Sequence, residues 1–395
     1  MSIIRHLLIY EPRLGGHHLT WLRYVTEDFL RAGLALTLAV DLRPDSRKLL
    51  DDKFADLADR LTIVSAYSKD KRYKGGSKMA SLLLCLEESG AEEVFLTNFD
   101  EIASATLRRA AIGMMPPRTL RGKINGIYFR PRFMAECRTP GNIIKQAGFS
   151  RLSAKGWLNN IYLLDEYLLE KARNKWRRCN LNFLPDVWSG DYSHDRERAR
   201  QELAVPAAKF VYLNYGIGTK RKGLHLIIKA MRNFKPSDNI FLLCAGKITS
   251  NELRAGVLEL ERKGLARVLN RYVTDTEEEL CFSACDAVLL PYVRHFGSSG
   301  VLSRAAAAGK MVVASDEGLV ARRVSEHDLG MLFNSGRASS LRETLILAAR
   351  LNQSRMAKYK INTGNFASSC SRDKFSQALI QPFLCEDTAG NEICS

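Results

Sequence analysis

The sequence predicts an α/β protein of two doubly wound domains, each a parallel sheet covered by helices on both faces. Three observations carry this reading. At 395 residues the chain is too long for one ordinary core and suits two domains. Short, uncharged apolar runs alternate with helix-length segments, the pattern of strands buried on both faces, and right-handed crossovers then wind helices over each sheet. The pattern breaks at the polar run LPDVWSGD (184–191) and restarts after it. Residues 1–187 are therefore assigned to the first domain and 188–371 to the second. Residues 372–395 read as a terminal helix and tail packing back on the first domain.

In the first domain the strands read HLLIY, ALTLAV, LTIVSA, EEVFLTN, INGIYF and NIYLLD. In the second they read KFVYLNYG, NIFLLCAG, DAVLLP and MVVAS. Residues 18–32, 79–88, 224–233 and 300–308 have the length and pattern of helices. The last helix, about 372–384, follows a stretch at 363–371 that reads as loose.

Hydrophobic residues make up 46% and charged residues 26%, ordinary for a globular chain. No run reaches the ~18 uncharged apolar residues of a membrane span. Arg5 and His6 precede only four apolar residues at the amino terminus, too few for a signal peptide, so a cytoplasmic protein is expected. The nine cysteines are scattered, several inside apolar runs. Cys281 and Cys285 share a helical spacing with no second Cys/His pair nearby, so buried thiols are expected and no metal site.

The net charge is +16, and residues 101–187 carry 16 Lys/Arg against 6 Asp/Glu, or +10 of it. Such a segment attracts anionic surfaces. The aromatic interleaving and motifs of a nucleic-acid binder are missing, which leaves an anionic membrane surface as the expected partner.

In open α/β sheets, ligands bind beyond the carboxyl ends of strands. Four loops lie there. EPRLGGHH (11–18) puts Gly15 and Gly16 before a helix, with His17 and His18 able to donate to phosphate or handle a proton. A tight turn with two surface histidines explains that loop equally well. GIGTKRKG (216–223) sets Lys220, Arg221 and Lys222 at a strand end before the next helix, where they can neutralise a diphosphate. HFGSSG (295–300) places Ser298, Ser299 and Gly300 at a helix start, offering amides and hydroxyls to phosphate or sugar oxygens. SDEG (315–318) stays unassigned.

Taken in order, these features resemble the retaining glycosyltransferases of the GT4 type, whose GT-B fold sets two Rossmann-like domains across a cleft. The resemblance rests on LGGHHLTWLRYVTEDFLRAGLALTLAV, on RKGLHLIIKAM, and on YVTDTEEEL, CDAVLLPYV and FGSSGVLSRAAAAGKMVVAS. It implies a nucleotide-sugar donor on the second domain. Lys222, with Arg221 beside it, would contact the diphosphate and Gly16 would approach the donor. The backbone from Tyr272 through Val273 to Thr274 would hold the base, and Ser298, Ser299 and Gly300 would face the diphosphate and sugar. It implies an acceptor on the first domain, and the basic charge of that half points to one at a membrane, a lipid-linked saccharide or other cell-envelope glycan. His17, His18 and Asp100 are the polar candidates for catalysis and for acceptor or sugar contacts. No cofactor or metal is required, because cations and helix ends stabilise the leaving diphosphate. The two glutamates usual in the family fall on Phe296 and Arg304. Arginine cannot accept the ribose hydrogen bonds, and Arg304 can instead form a salt bridge or meet a phosphate.

The alternative is a non-catalytic relative that binds a sugar, a nucleotide or a partner enzyme. An NAD-dependent oxidoreductase is disfavoured, since RLGGHHL lacks the GxGxxG fingerprint after the first strand. A sugar epimerase of the same fold would be expected to carry acidic catalytic residues.

Overall fold

The computed structural model describes residues 5–15, 17–135 and 138–384, with His17 described by its backbone alone. The chain divides into two units, Met1–Leu184 with Phe375–Ser395, and Pro185–Lys374.

The first unit runs β1 (His6–Glu11), α1 (His17–Arg31), β2 (Ala35–Val40), α2 (Pro44–Phe54), β3 (Thr62–Ser65), α3 (Lys78–Ser89) and β4 (Glu93–Leu96). It continues with α4 (Asp100–Ala111), β5 (Ile124–Tyr128), α5 (Arg132–Ala135), α6 (Pro140–Ala154), β6 (Leu158–Leu163), α7 (Glu166–Lys175) and β7 (Asn180–Phe183). The seven strands are ordered β3-β2-β1-β4-β5-β6-β7, and every neighbouring pair is parallel. The order reverses between β1 and β4, which opens a crevice at the carboxyl ends of those two strands.

The second unit runs α8 (Arg196–Glu202), β8 (Phe210–Tyr215), α9 (Leu224–Met231), β9 (Ile240–Ala245), α10 (Asn251–Arg262), β10 (Ala266–Leu269) and α11 (Asp275–Ala284). Then follow β11 (Ala287–Leu290), α12 (Gly300–Ala307), β12 (Met311–Ser315), α13 (Gly318–Glu326), β13 (Gly330–Phe333), α14 (Ala338–Ala348) and α15 (Gln353–Ser369). Its six parallel strands are ordered β10-β9-β8-β11-β12-β13, with the reversal between β8 and β11.

The last helix, α16 (Arg372–Leu384), carries its apolar face onto the first unit. Phe375 meets Trp21 edge-on at 5.3 Å and Phe383 meets Phe29 at 4.9 Å. The Tyr162 hydroxyl donates to the Leu379 carbonyl at 2.6 Å. Pro185 to Val187 belong to the second unit, because the buried Asp186 bonds there; the join therefore lies three residues before the boundary read from the sequence.

Two expectations need correction. Residues 363–371, read as loose, lie largely within α15, which starts from an Asn352 cap and buries Thr363, Phe366 and Ala367. Its polar residues face outward, which hid the helical stripe. Strands β7, β10 and β13 were also missed. Each is four residues long and lies at a sheet edge with only part of its residues buried, so the apolar signal is weak. No helix among the described residues is long and apolar enough to cross a membrane.

Candidate functional site

In the second unit the loops after β8 and β11, the strands flanking the reversal, converge around Lys222. The turn into α9 depends on Gly223, whose φ is +76° and whose missing Cβ would lie 1.8 Å from the Pro291 carbonyl oxygen. This close approach brings Lys222 against the chain after β11, with its ammonium 5.8 Å from the centre of the Tyr292 ring. Lys222 forms no ion pair among the described residues. Burial, reinforced by Arg221 and Arg304, pulls its pKa down to about 8. A cation held in that state gains from any anion that reaches it.

Arg221 donates to His295 Nδ1 at 2.9 Å, and His295 Nε2 donates to the Ser298 carbonyl at 3.0 Å. Both bonds form together with the ring proton on Nε2. Ser299 shares a 3.0 Å hydrogen bond with the buried Tyr292 hydroxyl and makes no capping bond, so the amides at the start of α12 are not closed by its side chain. Asp186 is buried under the same helix start, bonded to the Ser298 side chain. Its carboxyl pKa is raised by burial, against the opposing effect of Ser298, Arg323 and Arg304. Asp186, Tyr292 and His295 escaped sequence reasoning. Asp186 had one signal, an acid within an otherwise apolar stretch of the join.

Arg304 takes the first of its two expected options. It binds Glu278 Oε1 at 2.7 Å and the Gly300 carbonyl at 3.1 Å. Glu278 also accepts from the Tyr192 and Tyr215 hydroxyls. The acid of this corner thus stands on α11 and is fully engaged. Glu278→Ala would leave the half-buried Arg304 charge without its ion pair, and the loss expected in urea unfolding is about 2 kcal/mol.

The expectation for the base-binding backbone needs revision at Thr274. That residue caps α11, its hydroxyl accepting from the Glu277 amide and its own amide donating to the Glu277 carboxylate at 3.0 Å. Val273 packs half-buried beside it. A cavity of about 370 Å³ opens next to this segment, lined by Lys247, Ile248, Arg254, Asn270, Arg271 and Tyr272. Tyr272 is exposed and lies 5.5 Å from the Lys247 ammonium, a flat face on which a base can stack.

In the first unit, Glu11 ends β1 and is buried. Its carboxylate accepts from the Thr97 hydroxyl at 2.6 Å and from the Arg13 amide at 3.2 Å, and lies 3.2 Å from His18 Nδ1. A carboxylate so placed can orient the imidazole. Asp100, at the start of α4, accepts from the Phe129 amide at 2.8 Å, and burial raises its pKa to about 6. Gly16 lies outside the described residues, as does the side chain of His17. Glu11 was missed, although an acid at a strand end seven residues before His18 was visible. Among the described residues no group of three or more His, Cys, Asp or Glu is placed to hold a metal ion.

Two doubly wound parallel-sheet units are the fold of the GT-B class, and the solved structures similar to this chain share it. Residues 195–363, the greater part of the second unit, match the family described as glycosyl transferases group 1. No curated protein sequence matches the chain. Among solved structures, the Anabaena protein Alr3699/HepE, in complex with UDP and glucose, is 15% identical with a TM-score of 0.68 over 98% of this chain and 100% of its own. A glycosyltransferase from Rickettsia africae is 12% identical with a TM-score of 0.69 over 99% and 100%. WaaG, a glycosyltransferase involved in lipopolysaccharide biosynthesis, is 16% identical with a TM-score of 0.63 over 98% and 100%.

Proposed function

We propose that the protein transfers a sugar, with retention, from a nucleoside-diphosphate sugar to an acceptor hydroxyl in cell-envelope glycan or glycolipid synthesis. The observation that carries this reading is Lys222, a largely buried cation with no ion pair among the described residues, 5.8 Å from the ring of Tyr292, whose hydroxyl bonds Ser299 at the start of α12. As the anomeric C–O bond breaks, negative charge builds on the departing diphosphate. Lys222, Arg221 and the helix start strengthen their hold on it at that moment, which lowers the barrier. The leaving phosphate oxygen then takes the proton of the acceptor hydroxyl as that oxygen bonds to the sugar on the same face. The 370 Å³ cavity beside Tyr272 takes the base, and the UDP bound by the Anabaena protein makes uracil the first base to try. The first unit binds the acceptor, with His18, oriented by Glu11, and Asp100 contacting its hydroxyls. The +10 segment at 101–187 would keep the protein at the inner face of an anionic membrane.

Thermal melting against UDP, GDP, ADP, TDP, CDP and their sugar conjugates tests the donor half. One nucleotide family is expected to raise Tm, and no rise at millimolar concentration would sink the reading. Glu11→Gln keeps the shape at His18 and removes the charge behind it. The expected result is a fall in kcat of about tenfold or more with an unchanged nucleotide shift; an unchanged kcat would remove His18 from the mechanism.

A non-catalytic sugar- or nucleotide-binding protein is the second reading. It is favoured by the engagement of Arg304 with Glu278 and by Phe296 standing where the family has an acid. It predicts nucleotide binding with no product formed from any donor.

A further inference from the structure

Between α3 and α4 in the first unit lies a cavity of about 630 Å³ that the donor and acceptor candidates above leave unused. Met79 and Leu83 of α3, Ile102 and Ala105 of α4, and Met115 and Pro116 of the next loop form apolar walls. Methionines give such walls the freedom to reshape around a flexible guest. Glu101 is the single carboxylate of the lining, and it already bonds both Lys78 and Arg13, so that cluster keeps one positive charge in excess.

The opposite end is different. Arg109 lines the cavity, is exposed, and forms no ion pair among the described residues. Just beyond it Ile112 is 73% exposed and Met114 48%, with Arg108 and Arg118 exposed in the same stretch. Exposed apolar side chains set among unpaired arginines match the border of an anionic membrane, where apolar groups enter the acyl region and cations meet phosphate. An apolar interior that begins at that border has the dimensions and chemistry of a site for one chain.

We propose that the α3–α4 groove binds one hydrocarbon chain of an anionic membrane lipid, its phosphate head held at Arg109 and its chain running along the methionine-lined wall. The proposal stands on the first unit alone and holds whether or not the second unit transfers a sugar.

The test is calorimetric titration of the full-length protein with monoalkyl phosphates from hexyl to dodecyl, each below its critical micelle concentration. Affinity is expected to rise about fourfold per added methylene until the groove is full, then level off. Alkyl maltosides of equal length, which lack the charge, should bind about fivefold more weakly. Ala105→Trp, which fills the groove from an exposed helix position, should flatten the chain-length series. Arg109→Gln should bring phosphates down to the maltoside level, and neither variant should change the nucleotide-induced Tm shift. A flat series in the wild-type protein, or a series that both variants leave intact, would overturn the proposal.

Discussion

Replacing Lys222 with alanine is expected to lower kcat/KM for sugar transfer about 10²- to 10³-fold and to remove the nucleotide-induced rise in Tm. The physical basis is the state of the side chain before any ligand arrives. Burial and two neighbouring guanidinium groups hold its pKa near 8, well below an ordinary lysine. A diphosphate stabilises the charged form and turns an unfavourable burial into a close ion pair. The variant without ligand should therefore be at least as stable as the wild type, which separates a binding defect from a folding defect.

The same residue has a pH signature of definite sign. Between about pH 8 and the ordinary lysine range, the unfolded chain holds this proton and the folded one does not. The contribution of Lys222 to stability accordingly rises with pH through that window. Nucleotide affinity should move the other way, falling as pH rises past about 8, with proton uptake on binding. Calorimetry near pH 8.5 in buffers of different ionisation enthalpy would show the uptake. Pairing of Lys222 with an unnoticed acid would abolish it.

Gly223→Ala is expected to cost about 3–5 kcal/mol, enough to unfold a marginal domain. The backbone there is left-handed at φ +76°, which alone costs an alanine about 1 kcal/mol or more. The larger cost comes from the new methyl group at 1.8 Å from the Pro291 carbonyl oxygen. Neither atom belongs to a flexible side chain, so β8 and β11 must part at the reversal where the candidate site forms. Urea unfolding checks this. A loss below 1 kcal/mol would mean that the α9 turn is not held as tightly as the geometry says.

Much of the candidate donor loop was legible in the sequence. A glycine on each side of three cations at a strand end already singled out Lys222, because the need for close backbone approach and for positive charge is written in local residue types. The engagement of Arg304 was legible only as an open choice, salt bridge or phosphate. The partner that decided it, Glu278, stands 26 residues away on another helix. Likewise His18 was visible, but its orienting acid, Glu11, is itself held by Thr97, 86 residues further along. β1 lies between β2 and β4, and it is the non-sequential neighbour, β4, that brings Thr97 to Glu11.

By itself, then, the sequence determined the alternation of strands and helices, the parallel sheets and the residue chemistry of the loops at the strand ends. Periodicity and turn chemistry act over a few residues, and those features need no more range. The tertiary structure alone decided the short edge strands, the buried Asp186 beneath α12 and the groove between α3 and α4. Each of these depends on which distant segments are brought together and on what their burial does to charge, and no local pattern of residues carries that information.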